Sequence, residues 1–578
     1  MRTIRRTAAI HIVTFNCWSR FTEITHTTLQ RFGSEKDIAR TLSSRGRKAI
    51  RCIGLLLAHG LFPFHAWAQD CAEGEAGLEG LAIIEIRIDN REIFDTSRPE
   101  ENLLIHRLAN RLHIETRKKT IRDQLLFHPG EPYREQLVRE TERLLRSRSY
   151  IHDARIEAQL VCGEGVVLTV VTADNWTLSP SVSVSRSGGE TRTSFEIEES
   201  NLLGLGSELK VLSESDEDRD SEAIAFRDRN WFGNFKTLDL EFADNSDGHR
   251  HTARLNRPFV QLDSRYAWSL SAITFERENP VYEAGDEVAR IGEDTEAAEI
   301  SYGWSDGIAN GSVSRHSLGW SVIEQDFGTV DDPDIELPAS VENAYPFYQY
   351  EYLRVRYAEK INFRVMGVTE DIELGTRFNY RIGWKDEAYD ASQEGYIFAM
   401  NYDFGNFISA QTLAILRFEL EHEGNDSIGD QGLLEAEGRF YHYLDENNSY
   451  LFSLKLAAAQ NPELFERIQI GGDSGLKGYP IRFQNGDRAL TLSAERRVYF
   501  NVYLWQLLKF GFAVFAEAGS AWDSGDNPVW LGDVGAGMRL VSTRQSASKV
   551  LHIDLAFPLA ETGDIDDYEL FVRARGEF

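Results

Sequence analysis

From Trp176 to the end of the chain, segment after segment alternates apolar and polar side chains with a period of two. The last segment is the cleanest: Tyr568, Leu570, Val572 and Ala574 share one face, and Glu569, Phe571, Arg573 and Arg575 the other. Leu551, Ile553, Leu555 and Phe557 alternate with His552, Asp554 and Ala556, and Leu238, Leu240 and Phe242 alternate with Asp239 and Glu241. Successive strand residues point to opposite faces, so each segment has one apolar and one polar side. Two folds accept that pattern: a sandwich wetted on one face, or a closed sheet with lipid outside and water inside. Composition favours the second. The 33 Phe, 21 Tyr and 11 Trp exceed what so acidic a chain needs for a soluble core, and the negative mean hydropathy argues against a helical membrane bundle. The expected fold is a β-dominated membrane protein whose residues 175–578 form a transmembrane antiparallel β-barrel, with 16–20 strands by segment count.

The N-terminus sets the compartment. Arg45, Arg47, Lys48 and Arg51 precede the apolar run Cys52 to Phe64, and Ala66-Trp67-Ala68 supplies a small-residue cleavage pattern. Residues 45–68 therefore read as a signal peptide, the run being too short for a transmembrane helix. Residues 1–44 resemble neither a signal nor a domain and fit an over-long start; 69–77 form a short linker. Removing residues 1–68, with their 11 Lys and Arg and 3 Asp and Glu, takes the formal charge from −30 to −38. So acidic a chain repels nucleic acid. Glu214 to Asp220, Glu276 to Glu296 and Asp326 to Glu342 read as solvated external loops. Cys71 and Cys162 remain after cleavage; a disulfide between them and two unpaired thiols both fit, since sequence does not supply the Cα separation a bridge requires. No metal-ligand spacing occurs, and neither a metal site nor a cofactor is expected.

Residues 78–174 read as a small α+β unit. Ile83 to Ile88 alternates as a strand, Leu103 to His113 and Ile121 to Phe127 have helical spacing, and His128-Pro129-Gly130-Glu131-Pro132 breaks the pattern. Glu135 to Arg146 gathers Leu137, Val138, Thr141, Leu144 and Leu145 on one helical face. Ala154 to Leu160 and Val166 to Thr172 close the unit as strands.

Within the barrel, Asn201 to Gly206, Asn230 to Phe235 and Asp403 to Phe407 fit periplasmic turns. One interruption stands out: Gly471 to Phe483, within a loop spanning 461–487. Glycine-rich backbone is tolerated at membrane depth only where protein covers it or it lines water, so this stretch reads as a lid folded into the lumen. Its Gly472-Asp473-Ser474-Gly475 string matches the surroundings of a serine-protease nucleophile, but no base and orienting acid accompany it, and the chain is not expected to be an enzyme.

The strand, helix, helix, strand, strand order of 78–174, with a helix inserted in Phe94 to Lys118, resembles a POTRA domain. With the barrel behind it, the chain resembles the BamA/TamA-type (bacterial surface antigen) superfamily of outer-membrane insertases and two-partner secretion transporters. Gly471, Gly472, Gly475, Lys477, Gly478 and Tyr479 are similar to the lid-loop motif, with Lys477 where Arg is usual. Ala513 to Asp523, which includes Glu517, Gly519 and Asp523, is similar to a barrel-strand motif, with Glu517 where Asp is usual. Val550 to Leu559, with Asp554, is similar to a late strand, and Tyr568, Leu570, Val572 and the terminal Phe578 resemble the signal by which barrels are themselves inserted.

The resemblance implies 16 strands, one periplasmic POTRA domain and an outer-membrane location in a Gram-negative bacterium. It also implies a lumenal pair between Lys477 and Glu517, worth about 0.5 to 2 kcal/mol in a water-filled barrel. The implied function is insertion or translocation of outer-membrane proteins by β-augmentation and strand-edge templating. The implied partners are unfolded outer-membrane proteins or a secreted protein, outer-membrane lipid, and a periplasm-spanning or inner-membrane protein. The alternatives are a two-partner secretion transporter and a passive porin or surface-binding barrel.

Overall fold

The computed structural model describes residues 77–578 apart from 162, 188, 284–285, 330–336, 426–428, 545–548, 560–564 and 576–578. The signal peptide, the stretch ahead of it, Cys71, Cys162 and Phe578 lie outside the described residues.

The first unit holds β1 (Ile83–Arg91), α1 (Leu104–Leu112), α2 (Lys118–Arg122), α3 (Glu135–Arg146), β2 (Ile151–Val161) and β3 (Gly165–Asp174). Its sheet runs β1-β3-β2, with β1 parallel and β2 antiparallel to β3. The amphipathic face of α3 buries Leu137, Val138, Thr141 and Leu145, and Leu145, Ile121, Val166 and Leu168 form the driest part of the core. Helix α1 behaves differently, burying His106 and leaving its leucines exposed.

The wall begins with six short strands: β4 (Leu178–Ser187), β5 (Glu190–Glu199), β6 (Ser207–Ser215), β7 (Asp220–Asp228), β8 (Thr237–Asn245) and β9 (Gly248–Arg257). Five long ones follow: β10 (Tyr266–Glu283), β11 (Asp286–Ala309), β12 (Ser312–Thr329), β13 (Val341–Ile361) and β14 (Thr369–Lys385). Then come β15 (Gly395–Phe407), β16 (Thr412–Asn425), β17 (Gln431–Asp445) and β18 (Asn448–Gln460). The loop after β18 carries its own clip of β19 (Ile468–Ile470) and β20 (Gln484–Gly486). The wall ends with β21 (Arg488–Leu504), β22 (Leu508–Trp522), β23 (Leu531–Ser542), β24 (Val550–Pro558) and β25 (Glu569–Arg575).

These strands, without β19 and β20, make one closed antiparallel barrel of 20, which overturns the 16 implied by the resemblance. The count of 16–20 from alternating segments includes 20 at its upper end, and polar stretches lengthen strands within it. Glu276 to Glu296, expected as a loop, forms the arms of the β10–β11 hairpin. The 24 residues of β11 give roughly 80 Å of strand, more than twice the length of any of the six strands that open the wall. The stretch ahead of the barrel is an α+β unit not established as a POTRA domain. Asp403 to Phe407 is also corrected: it completes β15, and the turn follows it.

Alternation sorts the two faces as expected. Val182, Phe242, Ile300, Leu318, Ile382, Ile553 and Leu570 lie on the outside and are exposed, whereas His552, Asp554 and Phe571 are buried inside. Among the described residues no helix is long and apolar enough to cross a membrane. The inner face is charged and cross-braced: Arg381 reaches Glu299 at 2.8 Å, and Arg377 and Arg315 each reach Glu351 at 2.9 Å.

The α+β unit sits across one mouth, here called proximal. Arg146 bonds Asp371 of β14 through two nitrogens at 3.0 Å. Asn201 Nδ2 donates to Thr116 Oγ1 at 2.9 Å, Thr120 Oγ1 to Gly204 O at 2.8 Å, and Asn230 Nδ2 to Asp123 O at 3.2 Å. The turns at 201–206 and 230–235 thus lie at this mouth.

Candidate functional site

The loop between β18 and β21 enters from the distal mouth and folds into the barrel. The β19–β20 clip closes its neck, with Ile468 opposite Gly486. At its tip the backbone needs glycine: Gly472 has φ 55°, and a Cβ there would lie 2.8 Å from Ser187 Oγ of β4. Gly478 has no room either, since a Cβ would lie 2.9 Å from that of Asp533. Gly471 and Gly475 also have positive φ, and Ser474 Oγ donates to Gly471 O at 2.8 Å, so the protease-like serine is engaged in its own turn.

What the tip meets follows from the pleat of β22 and β23. Phe515, Glu517 and Gly519 share the inner face of β22, and Glu517 is paired directly with Asp533 of β23. Two carboxylates placed opposite one another repel. The lid answers both. Lys477 N donates to Glu517 Oε2 and Lys477 Nζ to Glu517 Oε1, each at 3.0 Å, while Gly478 N donates to Asp533 Oδ2 at 3.0 Å. Lys477 Nζ also lies 3.8 Å from the centre of the Phe515 ring. The side chains of Lys477 and Glu517 are 7% and 9% exposed, drier than a water-filled lumen implies, so removing one partner costs more than the exposed-pair range.

Tyr479 completes the seat. It is fully buried, and its hydroxyl donates to Gly532 O at 2.9 Å and accepts from Gly532 N at 3.3 Å. Leu476, Ile470, Ala489, Ala521 and Leu531 pack with it. At Gly519 a Cβ would meet Leu476 Cδ1 at an ordinary 3.5 Å but would crowd Thr491 Cγ2 at 3.0 Å and Leu490 O at 3.1 Å. Asp523 pairs with Arg467 at the loop's neck and accepts from Asp487 N at 3.2 Å. Asp554 belongs to a separate lumenal network: it pairs with Arg539, which lies 3.6 Å from Glu495, and Glu495 in turn bonds Arg497 at 2.6 Å.

Besides Asp533, two anchors escaped the sequence. Arg482 pairs with Asp218 at 2.5 Å and stacks 4.0 Å from the Tyr282 ring centre, so the acidic stretch Glu214 to Asp220, expected to be merely solvated, holds the lid. Asp473 pairs with Arg573 of β25. Period-two alternation could have put Asp533 and Arg573 inside the lumen; it could not have paired them with the lid.

Through Asp473 and Gly472 the tip touches both β25 and β4, the strands that close the barrel. Among the described residues that seam is paired at one position, Val572 opposite Arg186. Neighbouring β4 and β5 are paired along their whole length, from Leu178–Glu199 to Ser187–Glu190. Tyr568 and Leu570 at the seam are exposed on the outer face.

No protein-family model matches the sequence, and no curated protein matches it. Among solved structures, the fold is similar to BamA from Haemophilus ducreyi lacking POTRA domains 1–3, at 11% identity and TM-score 0.38, covering 85% of this chain and 84% of that one. It is also similar to CdiB from Escherichia coli, at 13% identity and TM-score 0.45, covering 86% and 76%. CdiB from Acinetobacter baumannii gives 11% identity and TM-score 0.42, covering 86% and 73%.

Proposed function

We propose that this chain is an outer-membrane barrel of the BamA/TamA type that inserts or translocates other outer-membrane proteins, using strand pairing as its source of work. The observation that supports it most is the short-paired seam with the lid seated across its inner side. A closed sheet in lipid leaves no edge unpaired; a seam held at one described position is where an incoming strand can compete for backbone partners. The α+β unit offers a second edge. β1 is an outer strand of its sheet, and residues 130–132 cover it only as far as Ile83, so the rest can take an added strand.

The test locks the seam. With the native cysteines replaced by serine, V572C with R186C joins β25 to β4, and L270C with I300C joins β10 to β11 at an outward-facing pair. Insertion of an unfolded barrel client into liposomes should be abolished by the seam lock and unchanged by the wall lock. Full insertion by the seam-locked protein refutes lateral templating; retained passage of a secreted client favours the two-partner secretion alternative, and high steady conductance without clients favours a porin.

A further inference from the structure

Helix α1 has the reverse of the polarity that a soluble domain requires. At about 100° per residue, Leu104, Ile105, Leu108 and Leu112 fall in one arc, and they are 75%, 49%, 50% and 60% exposed. The face turned to the protein is polar. His106 is buried, stacks on Phe94 at 4.4 Å and approaches Trp505 O with Nε2 at 2.8 Å. Asn110 Nδ2 donates to Phe94 O at 2.8 Å, and its Oδ1 accepts from Phe94 N at 3.0 Å. A nine-residue helix gains little from propensity and ordinarily depends on burying its apolar side. This one is held by its polar side.

Its position indicates what covers the leucines. Trp505 opens the turn between β21 and β22 and is 54% exposed. Phe500 and Val502, just before it on the outer face of β21, are 45% and 54% exposed. The apolar arc of α1 is therefore fastened beside the proximal end of the barrel's apolar outer belt. Arg107 and Arg111 border the arc on one side, both exposed. Leucines on one face with arginine at the margin is the composition of a helix lying at a bilayer surface.

We propose that α1 is an interfacial membrane anchor whose leucine arc sits at the boundary of acyl chains and headgroups, in the phospholipid leaflet at the proximal mouth. The anchor would fix the α+β unit's height and rotation against the bilayer independently of its bonds to the barrel. The inference rests on the membrane reading of the barrel.

The test uses the full chain in phosphatidylethanolamine and phosphatidylglycerol bilayers, with photoreactive benzoylphenylalanine at Leu108. Parallel samples carry it at Leu555, on the outer face of β24, and at Glu164, in the exposed β2–β3 turn. Lipid-mass adducts at Leu108 should exceed those at Glu164 by at least about fivefold and accompany adducts at Leu555. Adducts at Leu555 with none at Leu108 overturn the anchor alone; none at Leu555 overturns the membrane reading beneath it. Equal yields at Leu108 and Glu164, or a protein-mass adduct at Leu108, also overturn the anchor, the last by showing a protein partner in place of lipid.

Discussion

The barrel has two unlike halves. On the far wall, β10 and β11 are paired from Tyr266–Trp304 to Glu283–Asp286, and arginine–glutamate braces cross the inner face. On the seam side, β4 has 10 residues and β25 has 7, and they share one described pair. Sequence chemistry follows the difference. β13 is rich in aromatics, with Tyr345, Phe347, Tyr348, Tyr350, Tyr352 and Tyr357, residues that fit a pleated surface well. β4 is Leu-Ser-Pro-Ser-Val-Ser-Val-Ser-Arg-Ser, and its small serines face inward with little surface to pack. Closure on the seam side is thus supplied partly by the lid, whose seat lies on β22 and β23 and whose tip contacts β25 and β4.

The largest effect should come from Lys477→Ala. It leaves Glu517 and Asp533 facing each other in a dry site, and lid docking should weaken by about 3 to 5 kcal/mol. Amide exchange should then rise along β25 while β11 stays protected, and single-channel conductance should increase. Adding Glu517→Gln and Asp533→Asn to Lys477→Ala should restore much of the docking, because the uncompensated charges are gone. No rescue, or equal loosening of both halves, would show that the lid does not support the seam through these carboxylates.

How much of this was legible turns on particular residues. Lys477 and Glu517 were brought together by a resemblance in motif order, and the structure places them 3.0 Å apart; the alternation of β24 and β25 sorted His552, Asp554 and Phe571 to the inside. The period-two segment count of 16–20 reached the 20 strands observed, whereas the 16 implied by the resemblance did not; what the pattern missed was strand length. Glu293 sits on β11 in an acidic stretch that looked like solvated loop, where Arg277, Asn279 and Gln325 satisfy its carboxylate. Asp218 with Arg482, 264 positions apart, is a pairing that only closure of the sheet creates. The exposed leucines of α1 have ordinary helical spacing, and spacing does not say which way the arc points.

A smaller effect concerns pH. In the α+β unit, burial first and the neighbouring Arg544 second hold the His152 imidazole down to about 4. The folded unit therefore resists a proton that the unfolded chain accepts near pH 6.5. Stability is full above that value and is lost as pH falls toward 4, by at most about 3 kcal/mol. Because Arg544 lies in the β23–β24 turn, the loss should appear on the seam side: exchange at residues 149–152 should rise between pH 6.5 and 4.5, and His152→Gln should flatten that rise. An unchanged profile in His152→Gln would assign the acid sensitivity to another group.

The smallest effect separates the two halves at the proximal mouth. The α+β unit is tied to the far wall by Arg146, whose guanidinium meets Asp371 at 3.0 Å with both side chains under one-fifth exposed. Toward the seam it is tied by Arg544, which donates to Ile93 O at 3.3 Å, lies 3.5 Å from Glu101 and stacks 5.5 Å from the Phe94 ring centre. Each of Arg146→Ala and Arg544→Ala should weaken docking of the unit by about 1 to 2 kcal/mol. Their consequences should differ in place. The far wall is laddered along the length of β10 and β11 and can lose a tie without moving, whereas β24 begins and β25 ends beside the Arg544 turn, whose carbonyl also accepts from Trp176 N at 3.1 Å. Amide exchange at β25 should therefore rise in Arg544→Ala and stay at the parent level in Arg146→Ala. Equal rises would mean that the unit acts as one rigid clamp on the whole mouth, and the softness of the seam would then have to be sought in the lid alone.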